Sequence, residues 1–126
     1  MREIEFRGQN INGHWAHGNL AIIKEKLDRA EIGTYISNSA GAPFAYQVRP
    51  ETIDQYTGLR DKNAKKIFEG DIGWDEHNEC YGVVKFEDGK FLYAWENIAE
   101  DLWEVADVIE ICGNIHENLE LLEVAE

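Results

Sequence analysis

The densest gathering of groups able to do chemistry is Asp71, Asp75, Glu76, His77 and Glu79, with Cys80 adjacent. An imidazole held by carboxylate oxygens can ligate a divalent cation or move a proton near neutral pH, and both tasks need this mixture of side chains. A metal-dependent enzyme built on Asp71, Asp75 and His77 is the chemistry it would support. The spacing argues for less. The run has no His-Glu-x-x-His, no Asp-x-Asp-x-Asp-Gly and no paired-histidine spacing. A solvated loop is the better reading, so no catalytic residue, metal ligand or cofactor is assigned.

The other reactive side chains are scattered. His14 and His17 flank Trp15, and His116 stands alone. Ser37 and Ser39 lack the Gly-x-Ser-x-Gly spacing of a hydrolase. Gly8, Gly13 and Gly18 are too widely spaced for a phosphate loop, and no Gly-Lys-Ser/Thr follows them. Cys80 and Cys112 have no CxxC partner, which suggests free thiols and neither a disulfide framework nor a zinc site.

Aromatic side chains offer a different kind of site. Trp74, Tyr81, Tyr93 and Trp95 gather around one hairpin, and Tyr93 and Trp95 share a strand face with Phe91. Core packing is the favoured role for that face. Trp74, Tyr93 and Trp95 become the candidate interface anchors if they are exposed.

These residues must be positioned by strands. Glu3 to Arg7 alternates with period two and predicts an opening strand with Ile4 and Phe6 on one face, followed by a turn from Gly8 to Gly13 and a second strand through Trp15 to Ile23. Lys24 to Ala42 reads as a helical turn or a mobile loop. Phe44 to Val48 alternates again and stops at Pro50. Gln55 to Leu59 and Lys66 to Phe68 flank an Asp/Asn-rich hairpin loop in which Ala64 sits where glycine is the easier residue. The clearest hairpin joins Tyr81–Phe86 to Phe91–Trp95 through Glu87-Asp88-Gly89-Lys90. Asn97 to Trp103 predicts a short capped helix, Asp107 to Ile115 a strand interrupted at Gly113, and Asn118 to Leu122 a helical turn.

At 126 residues, 44% of them apolar, the chain has room for one domain with a real core. No apolar run approaches the roughly 20 residues that span a bilayer, and the opening alternation is not a signal peptide, so a cytoplasmic, membrane-free protein is expected. The net charge of −13 is uneven: residues 1–50 carry six Lys/Arg against five Asp/Glu, and residues 51–126 six against twenty. Residues 91–126 hold ten carboxylates and no Lys or Arg. Such a field repels phosphate backbones, so direct nucleic-acid binding is not expected, and a charged partner would present a basic surface.

Three stretches resemble the YopX family of phage and prophage proteins of Gram-positive bacteria: MREIEFRG at residues 1–8, QYTGLRDKNAKKIFEGDI at 55–72 and VIEICGNIHENLELL at 108–122. The middle block is the most specific. The chain departs from the family at Ala64, where Gly is usual, and at Leu119, where Pro commonly follows the Asn. The resemblance implies a small cytosolic phage product and brings no catalytic residues with it. The run from Glu69-Gly70-Asp71-Ile72 to Phe91 also looks like the core of an SH3-like small barrel.

The expected architecture is therefore α+β and predominantly β, a small SH3-like barrel core with short helices, in a single domain made of an N-terminal part (1–50) and an acidic part (51–126). The expected function is a non-enzymatic interaction or assembly module that self-associates as a homo-oligomer. One rival is an acidic DNA mimic that inhibits a host nucleic-acid enzyme, which requires Glu96, Glu100, Glu104, Asp107, Glu110 and Glu117 to share one face. The other is the metal-dependent enzyme described above.

Overall fold

Alternation and turn chemistry together give a chain of antiparallel hairpins. The computed structural model describes residues 4–25, 31–37 and 46–122. It divides into two compact units, residues 1–55 and 56–126.

In the first unit, β1 (Phe6–Gln9), β2 (Trp15–Ile23), β3 (Gly33–Ser37) and β4 (Tyr46–Val48) pair in the order β4-β3-β2-β1. On its other side β1 pairs with Asp54 and Gln55, the first residues of β5 (Asp54–Arg60). Asn10 closes the first hairpin: its Oδ1 accepts the amides of Asn12 and His14, both at 2.9 Å, and Gly13 takes φ +85°. Asn and Gly are the residues that tolerate such a turn.

The opening strand differs from its expected form. It starts at Phe6, Ile4 is 63% exposed, and the buried positions are Arg7, Gly8 and Gln9. Polar side chains can face inward here because partners distant in sequence receive them. Arg7 Nη2 lies 2.9 Å from Asp54 Oδ2, and the Gln9 amide donates to Thr52 Oγ1 at 2.8 Å. A 3-10 turn at Pro50–Thr52, with proline at its start, brings Thr52 to that position. The segment expected to be a loop contains β3, paired to β2 from Asn19↔Ser37 to Ile23↔Gly33. Lys26–Ala30, where helical turns were expected, and residues 38–45, which include Ser39, lie outside the described residues.

In the second unit, the rest of β5 forms a hairpin with β6 (Lys66–Phe68). A five-stranded antiparallel sheet follows from β7 (Asp71–Asp75), β8 (Cys80–Glu87), β9 (Lys90–Trp95), β10 (Ile98–Asp101) and β11 (Ile109–Asn114), ordered β10-β9-β8-β7-β11. The β8–β9 turn places Asp88 at φ +52° and Gly89 at φ +81° between the paired Glu87 and Lys90. Two central residues at positive φ suit the strand twist, which makes this hairpin readable from sequence.

Two expectations fail here. The sheet is open, with β10 and β11 at its edges and no pairing between them among the described residues, so the fold is not a closed SH3-like barrel. The helix expected from Asn97 is instead a turn with Glu96 at φ +50°, then β10, and only Leu102–Val105 is helical (α1). Pairing with β9 takes up the backbone groups of Ile98–Asp101 on that side, and this tertiary gain outweighs the helical spacing of Ile98 and Leu102. A 3-10 turn, Ala106–Val108, leads into β11, and another closes the C-terminal block at Leu119–Leu122. No helix among the described residues is long and apolar enough to cross a membrane.

The core of this unit is Ile67, Val84, Tyr93, Trp95, Leu102, Val105, Ala106, Ile109 and Ile111. Tyr93 occupies a slot made by two glycines paired across β7 and β8, Gly73 and Gly82. Its hydroxyl donates to Gly73 O at 2.9 Å, and burial pushes the phenol well above its ordinary pKa. A Cβ on Gly82 would stand 2.4 Å from Tyr93 Cζ, so the ring fits only because a side chain is absent. Gly82→Ala is expected to lower unfolding stability by about 3 kcal/mol through overpacking. Chemical denaturation measures this, and an unchanged midpoint would contradict the slot.

Candidate functional site

Carboxylates placed for chemistry should leave oxygens free to meet a ligand, whereas those placed for folding spend them on backbone amides. The middle block follows the second pattern. Thr57 Oγ1 donates to Ile67 O at 2.8 Å and accepts the Leu59 amide at 3.2 Å, bracing an irregularity in β5 where Gly58 takes φ +88°. Asp61 Oδ1 accepts the amides of Asn63 and Lys65 at 2.8 and 2.9 Å, and its Oδ2 accepts the Ile111 amide from β11 at 2.8 Å. Ala64 adopts φ +66°, the conformation for which glycine is the easier residue.

The same use recurs in the two aspartates of the candidate catalytic run. Asp71, 2% exposed, accepts the Phe68 amide at 2.7 Å. Asp75 accepts the amides of His77 and Asn78 through Oδ1 and the Asn78 side chain through Oδ2. Glu76, His77 and Glu79 point to solvent. Among the described residues no three His, Cys, Asp or Glu side chains come close enough to hold a metal ion. Desolvation raises the pKa of the Cys80 and Cys112 thiols, which disfavours the reactive thiolate. Asn114 locks the last block, its Oδ1 accepting the amides of His116 and Glu117 at 2.9 and 3.1 Å.

The three aromatic candidates separate. Tyr93 and Trp95 belong to the core, at 0% and 9% exposure, so they are unavailable as surface anchors. Trp74 is half-buried and packs edge-on against Tyr81, with centroids 4.8 Å apart. Sequence reasoning missed Trp103 on α1, which is 68% exposed while its neighbours Leu102 and Val105 are buried. Ile98 and Val108 are exposed as well.

The carboxylates required by a DNA mimic do not form one row. By the pairing register Glu110, opposite Trp74, lies on the sheet face of Tyr81 and Val83, whereas Glu100, opposite Tyr93, lies on the other face.

The first unit holds a pocket of about 480 Å³ lined by Asn10, His14, Trp15, Ala16, His17 and Tyr46. The Arg7 guanidinium lies 5.0 Å from the centroid of the Trp15 ring and is itself fixed by Asp54. Glu5 Oε2 is 3.5 Å from His17 Nδ1. The signal in the sequence was Trp15 between two histidines.

A small antiparallel β protein whose turns are fastened by Asp, Asn and Thr side chains is thus the class defined by fold and site. The chain belongs to the YopX family, whose model, described as YopX protein, matches residues 5–123. The crystal structure of protein EF1440 from Enterococcus faecalis is similar, with a TM-score of 0.61 and 24% identity over 97% of this chain and 99% of that one, a likeness of fold. No curated protein matches the sequence.

The middle block of this chain therefore reads as a structural lock, and its key is Asp61. Asp61→Ala removes the acceptor of three buried or half-buried amides and is expected to cost about 3 kcal/mol or more. Thermal and denaturant unfolding measure this, and a loss below about 1 kcal/mol would show that the carboxylate is dispensable.

Proposed function

We propose that this chain is a non-enzymatic interaction and assembly module that works through self-association, in the cytoplasm of a host cell and in the phage or prophage setting that the family resemblance implies. The observation that carries this reading is how the side chains are used. The buried carboxylates Asp54, Asp61, Asp71 and Asp75 are engaged in backbone or Arg7 contacts, while Trp103, Ile98 and Val108 remain in water. An exposed tryptophan beside a rigid turn is the kind of residue that anchors an interface.

Pairing of sheet edges is the weaker route to assembly. The outward-facing Ile111 amide and Ile109 carbonyl of β11 are taken by Asp61 Oδ2 and the Lys62 amide. The β10 edge carries Glu100 and Asp101, charges that protect a strand against pairing with its like. Contact through side chains fits better. A second partner with a basic surface is compatible with the run of carboxylates beyond residue 91.

Multi-angle light scattering over a wide concentration range tests the reading. The expected result is a mass that rises above the monomer as concentration increases, and a monomer at every accessible concentration would overturn it.

A further inference from the structure

We infer that Trp74 and Tyr81 form a docking corner for an arginine side chain carried by a basic partner protein, with Glu110 receiving the guanidinium. The partner differs from the chain itself, so this contact stands or falls separately from self-association.

Strand alternation sets the corner apart from the core. Gly73, Gly82, Val84 and Tyr93 share the face that the core covers, and the register turns Trp74 and Tyr81 to the opposite face. The two residues are direct partners across β7 and β8, and their rings meet edge to face, with centroids 4.8 Å apart and planes at 61°. Rings at such an angle make a corner instead of a stack, and each ring face attracts a cation within about 6 Å of its centroid. Both side chains are half-buried, so part of each ring remains in water. The chain fills comparable positions elsewhere from within, Arg7 lying over Trp15 and Lys66 over Tyr56. Among the described residues no guanidinium or ammonium lies over Trp74 or Tyr81.

Glu110 supplies the charge. It is the register partner of Trp74 on β11 and lies on the same face, where directly opposite side chains are neighbours. It is exposed, and no ion pair among the described residues engages it. Lys65 acts on the Cys112 thiol together with Glu110, yet does not pair with the carboxylate. The loop that joins β7 to β8 adds Glu76 and Glu79 against the single imidazole of His77, and Glu96 is near enough to help push up the thiol of Cys80, next to Tyr81. The balance around the corner is negative, in a chain of net charge −13. A second copy brings the same excess of charge, whereas a basic surface is drawn in.

These groups suit arginine better than lysine. A planar guanidinium can lie against an aromatic face and still direct a fork of N–H donors at a carboxylate, which a compact ammonium cannot do at once.

Titration of the full chain with hexa-arginine, followed by NMR and calorimetry, tests this, with hexalysine and the neutral hexacitrulline as comparisons. The Trp74 indole N–H resonance, identified by its loss in Trp74→Phe, is expected to shift with hexa-arginine, less with hexalysine and not at all with hexacitrulline. Through-bond assignment identifies the same resonance if Trp74→Phe does not fold. Glu110→Gln is expected to weaken hexa-arginine binding about tenfold, the loss of a charge-assisted hydrogen bond. Glu104→Gln makes the same charge change at an exposed position on α1 and is expected to leave binding within about twofold of the unaltered chain. An unmoved Trp74 indole, or equal losses in the two glutamine variants, would overturn the corner and leave only diffuse attraction to an acidic chain. Equal binding of hexalysine would overturn the assignment to arginine. Light scattering decides self-association apart from all of these outcomes.

Discussion

The Asp61 carboxylate gathers three amide protons from two places fifty residues apart: Asn63 and Lys65 in its own hairpin loop, and Ile111 in the last strand. Hydrogen bonds to a charged acceptor are worth about 1.5–3 kcal/mol each when they replace contact with water, and a buried amide left unpaired costs a similar amount. Asp61 is 5% exposed, so water cannot substitute for it. The loop backbone completes the junction, as the Lys62 amide donates to Ile109 O at 3.0 Å. One side chain thus shapes the hairpin loop and closes an edge of the five-stranded sheet.

Much of the second unit follows from that closure. With β11 held, Ile109 and Ile111 reach the core beside Tyr93 and Leu102. Tyr93 is in turn accommodated by the Gly73–Gly82 pair, where an added Cβ would meet the ring. Leu102 and Val105 anchor α1 and thereby hold Trp103 outward. The first unit has a comparable polar centre, in which Arg7 and Asp54 are buried together and Trp15 is held against the guanidinium.

What was legible in the sequence were features whose causes are local. Asp88-Gly89 specifies its own turn, Asn10 and Gly13 specify theirs, and Ala64 stood out because its neighbours demanded a left-handed residue. What was not legible depended on distant partners. Arg7 looked like the outer face of a strand because Asp54 lies 47 residues away, and Gly33–Ser37 looked like a loop because its partners β2 and β4 lie elsewhere in the sequence. Ile98 to Asp101 shows the same limit from the other direction, since β9 converts a helical pattern into an edge strand. The candidate site was less legible still. Asp71 and Asp75 have the same composition whether they bind a metal or cap a turn, and only their amide partners distinguish the two uses. Trp103 and Trp95 are likewise the same residue type with opposite exposure, 68% and 9%.

Amide hydrogen exchange at Ile111 tests the central role of Asp61 most directly. An outward amide on an edge strand would ordinarily exchange through small local openings. If the Asp61 carboxylate holds that edge, Ile111 exchanges in the native protein only as slowly as the amides at the centre of the five-stranded sheet, and Asp61→Asn releases it while β8 and β9 stay protected. Rapid exchange at Ile111 in the unaltered protein would contradict the account.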